Sequence, residues 1–234
     1  MYAVVPAAGL GIRMGSGGVA PNKSKVFLPL CGDGASIIRL AVRSIVAADV
    51  CRGIVVLTRA GDEAEAEALL AEEALALDRI VRAGGKTRQE SVALGLEAIG
   101  ETAEFALVHD GARPLCPVEK IREVARAGMG SGAAMLALPV KPSLKEVDDS
   151  RLVTRTIRRE NVWEAQTPQV FRLDLLRRAH EQAKFDGFTG TDESELVERI
   201  GVPVRIVPGD ERNVKVTTPL DLRFAEILAE SLFE

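Results

Sequence analysis

Short, mostly apolar runs alternate with helix-like segments from Tyr2 to Leu138. The runs are typical of strands buried on both faces, and they predict strands at residues 2–5, 53–58, 79–82, 105–108 and 133–138. Between them, apolar residues recur three and four positions apart and predict helices at residues 36–48, 62–76, 87–99 and 117–127. The alternation predicts an α/β fold in three layers: a Rossmann-like, mostly parallel sheet between two layers of helices.

Residues 141–160 interrupt this alternation. Residues 143–147 and 152–157 lack a helical period and flank a polar triplet at residues 148–150, which predicts a β-hairpin with its turn in the triplet. An isolated hairpin is only marginally stable in water. The segment is therefore either an exposed two-stranded flap or an arm that pairs with the same hairpin of a second subunit.

The chain then returns to the same domain, which we expect to span residues 1–234. The remaining pattern predicts a helix at residues 172–184, a helix that begins after an N-cap at Thr191, a strand at residues 202–207 and a last helix with Pro219 in its first turn.

Composition narrows the classes of protein that this chain can represent. With 234 residues, 47% hydrophobic and 27% charged, it has the make-up of a globular domain. A net charge of −4 argues against a general nucleic-acid-binding protein, so a phosphate site needs a local cluster of Lys and Arg. The three cysteines lack metal-ligand spacing, apolar runs stay short of membrane-spanning length, and a strand follows Met1 directly. These features predict a cytoplasmic protein without a membrane segment or targeting peptide.

A glycine-rich stretch at residues 6–25 follows the first strand. Glycine lets backbone N–H groups approach a ligand closely, and Arg13, Lys23 and Lys25 add cations that suit a polyphosphate. The spacing matches neither the dinucleotide-binding pattern G-x-G-x-x-G nor the Walker P-loop. The stretch is thus either a phosphate-binding loop of another kind or a plain structural turn.

Ligands of such sheets bind beyond the carboxyl ends of the parallel strands. The glycine-rich stretch, the turn at residues 84–88 and Asp110 all follow predicted strands in this way. A carboxylate at this edge suits Mg²⁺, which prefers one or two carboxylates together with substrate phosphates. The alternative is that Asp110 only caps a turn or a helix.

Five sequence segments together resemble one family, the 2-C-methyl-D-erythritol 4-phosphate cytidylyltransferases, which are nucleotidyltransferases of the sugar-nucleotide type. They are PAAGLGIRM at residues 6–14, LVHDGARP at 107–114, AQTPQVF at 165–171, GTDES at 190–194 and NVKVTTPLDL at 213–222. The resemblance covers essentially the full chain. It implies a nucleotide-diphospho-sugar transferase fold and the transfer of CMP from CTP to methylerythritol phosphate, with release of diphosphate, in the non-mevalonate isoprenoid pathway.

The resemblance also implies residue roles for phosphoryl transfer. Arg13 and Lys25 would hold the triphosphate and stabilise the transition state, with Lys23 as a competitor for the position of Lys25. Lys215 would clamp a phosphate, and Asp110 would bind Mg²⁺.

The same resemblance makes residues 141–160 a dimer arm, so that the protein would be a homodimer. Arg159, or the adjacent Arg158, would reach the methylerythritol phosphate of the neighbouring subunit. Ser143 keeps a hydroxyl at the entry to the arm, where the family often has Asp-Thr.

The base and the substrate would be recognised by the remaining positions. Backbone groups at Ala7, Ala8 and Gly85 and the Ser91 hydroxyl would satisfy the edge of cytosine, with Arg88 in the same segment; alternatively, this segment is a tight turn with an exposed arginine. Further ligand contacts are implied for Gly9, Gly11, Asp110, Arg113, Thr167, Thr191 and Asp192.

Two other functions compete with this interpretation. A ribitol 5-phosphate cytidylyltransferase would share the glycine-rich stretch, Asp110 and Lys215, although the string at residues 112–114 and the arginine-bearing arm favour methylerythritol phosphate. The presence of Arg13, Lys25, Asp110 and Lys215 argues against a non-catalytic nucleotide-binding protein of the same fold. The expected partners are CTP and a small polyol phosphate, and neither a nucleic acid nor a membrane is expected.

Overall fold

The computed structural model describes residues 1–9, 24–30, 34–71, 73, 77–100 and 103–233. The strands in these ranges are β1 (Tyr2–Pro6), β2 (Gly53–Thr58), β3 (Asp78–Ala83), β4 (Phe105–Val108), β5 (Ala133–Pro139), β6 (Leu144–Val147), β7 (Val153–Ile157), β8 (Trp163–Arg172) and β9 (Arg205–Pro208). The helices are α1 (Ile37–Ala48), α2 (Glu63–Leu70), α3 (Arg88–Ala98), α4 (Val118–Ser131), α5 (Leu173–Asp186), α6 (Glu193–Arg199) and α7 (Pro219–Phe233).

Seven strands form one sheet in the order β3-β2-β1-β4-β8-β5-β9. The pairs β3–β2, β2–β1, β1–β4 and β5–β9 are parallel, whereas β8 runs antiparallel to both of its neighbours, β4 and β5. The prediction of a mostly parallel α/β sheet is therefore confirmed. The antiparallel strand β8 carries the AQTPQVF motif and was not predicted as a strand.

Alternation along the central strands creates the three layers. Val5 of β1 lies in a core with residues of α1, α2 and α4, while Val4 lies in a second core with residues of α3, α5 and α6. Successive side chains of a strand point to opposite faces, so an uninterrupted apolar run fills both cores at once. Both valines are fully buried. The helices on either side leave the carboxyl edge of the parallel strands open for a ligand.

Several element boundaries differ from the sequence prediction. Lys25–Phe27 form a 3₁₀ turn that the sequence pattern did not predict. Helix α6 starts after Asp192, whose carboxylate accepts a hydrogen bond from the Glu195 amide, so the predicted N-cap at Thr191 is wrong by one residue. Strand β9 begins only at Arg205, where pairing with β5 begins, and helix α2 ends at Leu70 within the described residues.

Strands β6 and β7 form the predicted hairpin, as a two-stranded sheet separate from the central one. The Asp148 carboxylate accepts hydrogen bonds from the amides of Ser150 and Leu152, which closes the turn in the polar triplet. Val147, Leu152 and Val153 are each about half exposed or more. Whether this arm pairs with a second copy stays a prediction.

Helices in the described ranges are too short or too polar to cross a membrane.

Candidate active site

A cavity of about 430 Å³ opens at the carboxyl edge of β1, β3 and β4. It brings together predicted site residues from both ends of the chain: Ala7, Ala8, Gly9, Lys25, Gly85, Arg88, Ser91, Asp110 and Lys215. Lys86, Thr87 and Thr217 also line it and were not predicted. The cavity therefore lies where the strand order predicts a ligand site.

The other predicted site residues lie behind or beside this cavity. Arg113 and Thr167 are buried directly behind Asp110, and Thr191 and Asp192 precede α6. Ser143 and Arg159 lie at the two ends of the arm. Gly11, Arg13 and Lys23 lie outside the described residues.

Asp110 is the electrostatic centre of the cavity. Its Oδ1 accepts a hydrogen bond from Arg88 Nε at 2.8 Å, and its Oδ2 lies 2.6 Å from Lys215 Nζ and 4.0 Å from Arg113 Nε. Burial alone would raise the pKa of Asp110, but the charges of Arg88, Lys215 and Arg113 outweigh burial and hold the pKa well below its ordinary value. The carboxylate is therefore ionised throughout the physiological range.

The backbone of Asp110 is fixed by a buried polar chain. The Thr167 hydroxyl accepts a hydrogen bond from the Asp110 amide at 3.0 Å and lies 3.2 Å from His109 Nδ1. The other ring nitrogen, His109 Nε2, lies 3.1 Å from the Arg113 carbonyl oxygen. Since burial lowers the pKa of His109 to about 4, the ring is neutral at pH 7. Thr167 then donates its hydroxyl hydrogen to Nδ1, and Nε2–H donates to the Arg113 carbonyl. The Thr167 hydroxyl is thus engaged in holding Asp110.

The segment that presents Lys215 is held from two sides. Arg113 donates to the Asn213 carbonyl at 2.6 Å, and the fully buried Asn213 side chain donates to the Thr167 carbonyl at 2.8 Å. Lys25 Nζ donates to the Val216 carbonyl at 2.6 Å. Two lysines nearly 200 residues apart in sequence therefore meet at one wall of the cavity.

The opposite wall is the turn before α3. The Ser91 hydroxyl accepts a hydrogen bond from the Gly85 amide at 3.1 Å and donates one to the Thr87 carbonyl at 2.9 Å. Its hydrogen is therefore already used within the turn. A Cβ on Gly84 would lie 2.7 Å from Ser91 Oγ and 2.8 Å from Ala8 Cβ, a distance that requires glycine at this position. The amide of Ala7 donates to the Leu57 carbonyl. Ala7 and Gly85 can therefore offer a base their carbonyl oxygens.

Arg88 is only one-quarter exposed, whereas the alternative interpretation of this turn predicted an exposed arginine. Its Nη1 donates to both carboxylate oxygens of Glu193, at 2.9 and 2.7 Å, while its Nε holds Asp110. Burial alone would lower the pKa of Arg88, but the charges of Asp110 and Glu193 raise it. Glu193 was not among the predicted site residues. One signal pointed to it: Glu193, Leu196 and Val197 share one helix face, so a carboxylate stands on the apolar side of α6.

The residues around the cavity fit a metal ion that is bound mainly through substrate phosphates. In the described ranges, no group of three or more His, Cys, Asp or Glu side chains could bind a metal ion. Mg²⁺, however, commonly takes one or two carboxylates and completes its shell with water and substrate phosphates. An ionised Asp110 in the wall of a cation-rich cavity fits an ion that arrives with a triphosphate.

Known proteins match this chain along essentially its full length. The model of the 2-C-methyl-D-erythritol 4-phosphate cytidylyltransferase family matches residues 1–231. An enzyme of that name from Geobacillus thermodenitrificans is 42% identical, with 99% of this chain and 98% of the relative covered. One from Geobacillus kaustophilus is 43% identical, with the same coverage.

Solved structures of similar proteins have the same fold as this chain. The structure of 2-C-methyl-D-erythritol 4-phosphate cytidylyltransferase from Thermus thermophilus superimposes with a TM-score of 0.77 at 30% identity and covers 98% of each chain. The 4-diphosphocytidyl-2C-methyl-D-erythritol synthase from Anaerococcus prevotii gives a TM-score of 0.82 at 26% identity, covering 98% of this chain and 97% of its own.

Proposed function

Because the chain belongs to the 2-C-methyl-D-erythritol 4-phosphate cytidylyltransferase family, we propose a role in that reaction for each wall of the cavity. The enzyme transfers CMP from CTP to 2-C-methyl-D-erythritol 4-phosphate in the non-mevalonate isoprenoid pathway. An oxygen of the methylerythritol phosphate attacks the α-phosphorus of CTP. The bond from that phosphorus to the bridging oxygen of the β-phosphate breaks, and diphosphate leaves with the electron pair.

One observation carries the proposed mechanism: of the described residues that line the cavity, Asp110 supplies the one carboxylate, and it lies among Arg88, Lys215 and Arg113. Both substrates are polyanions, so the transition state gains most from fixed positive charge near the α-phosphate. Lys215 and Lys25 line the cavity and supply that charge. Arg13, in the glycine-rich stretch, is proposed as a further cation for the triphosphate.

Mg²⁺ is the proposed metal cofactor, with Asp110 as its protein ligand. When bound, the ion would neutralise charge on the phosphates. Lys215, now 2.6 Å from Asp110 Oδ2, would then turn from the carboxylate towards a phosphate oxygen.

Recognition of cytosine is proposed for the wall formed by Ala7, Ala8 and the Gly85 turn. The amino group at N4 of cytosine is a hydrogen-bond donor, and the carbonyl oxygens of Ala7 and Gly85 are acceptors whose amides are already engaged. Uracil carries an acceptor at the same place, so an unpaired carbonyl would disfavour UTP.

The arm is proposed to pair with the same arm of a second subunit and to form a homodimer. Pairing would cover Val147, Leu152 and Val153, which are exposed in the single chain. Arg159 donates to the Lys141 carbonyl and does not line the described cavity of its own chain. We place it in the partner's cavity, where its guanidinium binds the methylerythritol phosphate.

Mixing two defective chains tests the arm. Asp110→Asn refolded with Arg159→Ala should yield mixed dimers with one cavity that has both residues intact. Random pairing makes about half of the dimers mixed, so activity should return to roughly a quarter of wild type. The control Arg155→Ala, which removes an exposed arginine of the same arm paired with Glu146, should be active by itself. No recovery in verified mixed dimers would contradict the proposal.

Diphosphate release tests the substrate assignment. The enzyme is supplied with CTP and Mg²⁺ and with either methylerythritol phosphate or ribitol 5-phosphate. Turnover should depend on methylerythritol phosphate and on the divalent ion, and should fall strongly when UTP replaces CTP. Preference for ribitol 5-phosphate would contradict the substrate assignment, and full turnover in EDTA would contradict the proposed requirement for Mg²⁺.

The free thiols of Cys51 and Cys116 favour a cytoplasmic enzyme.

A further inference from the structure

We propose that Glu193 is a positioning residue that anchors Arg88, so that Arg88 fixes the Asp110 carboxylate for the reaction. Glu193 does not line the cavity. Its side chain is 1% exposed, and both of its carboxylate oxygens accept hydrogen bonds from Arg88 Nη1. Arg88 also donates a hydrogen bond through its Nε to Asp110 Oδ1. Helix α6 thereby acts on the proposed reacting centre through one arginine of α3.

The start of α6 is itself clamped so that Glu193 must point inward. Gln169 of β8 is fully buried and uses both ends of its amide: its Nε2 donates to Asp192 Oδ2 at 3.0 Å, and its Oε1 accepts the Ser194 amide at 3.2 Å. The Asp192 carboxylate also caps the helix by accepting the Glu195 amide. The residues on either side of Glu193 are therefore held against the central sheet by Gln169. This fixes the start of the helix so that the Glu193 carboxylate points towards Arg88.

Charge explains why Arg88 needs this anchor. Arg88, Arg113 and Lys215 all lie around the carboxylate of Asp110. Glu193 adds a second carboxylate next to Arg88: burial raises its pKa, and the charge of Arg88 and the hydrogen bonds from Arg88 oppose that shift. Without it, Arg88 would lose two hydrogen bonds, and its Nη2 is already buried without a partner among the described residues. Arg88 is one-quarter exposed towards the cavity, so it would turn to the phosphates or to solvent and release Asp110.

Two accounts of Glu193 make different predictions. If it only stabilises the fold by neutralising Arg88, folded Glu193→Gln should turn over like wild type, and removing both partners together should restore stability because neither charge is then left buried and unpaired. If it positions Arg88, folded Glu193→Gln should be slow, and the double variant should regain stability and stay slow. The inference rests on the proposed role of Asp110, so the experiment includes a variant of that residue.

The experiment compares Glu193→Gln, Glu193→Asp, Arg88→Met and the double variant Arg88→Met/Glu193→Gln in the full-length enzyme. Glu198→Gln is the matched control, since it makes the same change at an exposed position of the same helix. Diphosphate release gives kcat and KM per folded molecule, thermal unfolding gives stability, and calorimetry gives the affinity for CTP.

Glu193→Gln should lower kcat about 10- to 100-fold, as for other residues that orient a ligand of a reacting centre, with the CTP affinity within about threefold of wild type. Glu193→Asp keeps the charge and should recover part of kcat. The double variant should unfold at a higher temperature than Glu193→Gln without regaining kcat. If Glu193→Gln fails to fold, Glu193→Asp and the double variant carry the test.

Two outcomes would overturn the inference. One is a kcat for folded Glu193→Gln equal to that of Glu198→Gln; the other is a double variant that recovers activity together with stability. Asp110→Asn separates this failure from that of the proposed mechanism. An active Asp110→Asn enzyme would remove the role of Asp110 and the inference with it, whereas an inactive one beside a normal Glu193→Gln would remove only the positioning role.

Discussion

Replacing Asp110 with asparagine should cost the enzyme both stability and turnover. The change keeps the shape of the side chain but removes a negative charge that lies 2.8 Å from Arg88 Nε and 2.6 Å from Lys215 Nζ. Asp110 is 4% exposed, so water cannot replace the lost charge. Breaking a buried ion pair by removing one partner costs about 3–5 kcal/mol when the other charge stays buried and unpaired. Because Arg88 keeps its hydrogen bonds to Glu193 and the Lys215 side chain is 38% exposed, we expect the lower end of that range.

That loss is large beside the stability of an ordinary domain, about 5–15 kcal/mol, yet the variant should still fold. For a chain of this size, the melting temperature should fall by on the order of 10 °C. Loss of the charge that orients Lys215 and that we propose as the Mg²⁺ ligand should also lower kcat by about 10²-fold or more, as for one preorganised electrostatic group.

Differential scanning fluorimetry and the diphosphate-release assay measure the two effects. Asp174→Asn is the matched control: its carboxylate is also held by an arginine, Arg172, at 2.6 and 2.8 Å, but both side chains are exposed. Exposed pairs contribute about 0–1 kcal/mol, so this control should unfold and turn over like wild type. Near-normal kcat of Asp110→Asn at saturating Mg²⁺ would refute the role in catalysis, and an unchanged melting temperature would refute the account of the buried charges.

The remaining predictions concern the cavity walls and the buried histidines. Lys25→Ala should lower kcat about 10²-fold and Lys23→Ala much less; the reverse order in the same assay would identify Lys23 as the catalytic lysine. Ser91→Ala should raise the KM for CTP about tenfold by freeing the Gly85 amide from its partner, and an unchanged KM would argue against this wall as the base site. Burial lowers the pKa of His109 and His180 to about 4, so each stabilises the fold fully above the ordinary value of about 6.5. For each histidine, the free energy of unfolding should fall by about 1.4 kcal/mol per pH unit as the pH drops from about 6.5 to about 4. Urea unfolding at several pH values should show a smaller fall for His109→Gln than for wild type.

Hydrophobic periodicity alone determined most of the sheet and its two helix layers. Val4 and Val5 belong to one apolar run, and only a strand covered on both faces can bury such a run, so the three-layer arrangement follows from local pattern. The position of Asp110 at the end of β4 followed in the same way, because strand ends and the ligand edge coincide in parallel sheets. The hairpin turn at residues 148–150 was equally readable from its polar triplet.

Only the tertiary structure decided how β8 and the charged side chains are arranged. Nothing local in the AQTPQVF run distinguishes an antiparallel strand inserted between β4 and β5 from a loop, since its partners lie far away in sequence. The same holds for Arg88 and Glu193, which are 105 residues apart. Periodicity reports on contacts within a few residues, whereas the energy of a buried charge depends on every partner the fold brings to it. The sequence could therefore name Asp110 and Lys215, and the fold was needed to show that Ser91, Thr167 and Glu193 hold the site in place.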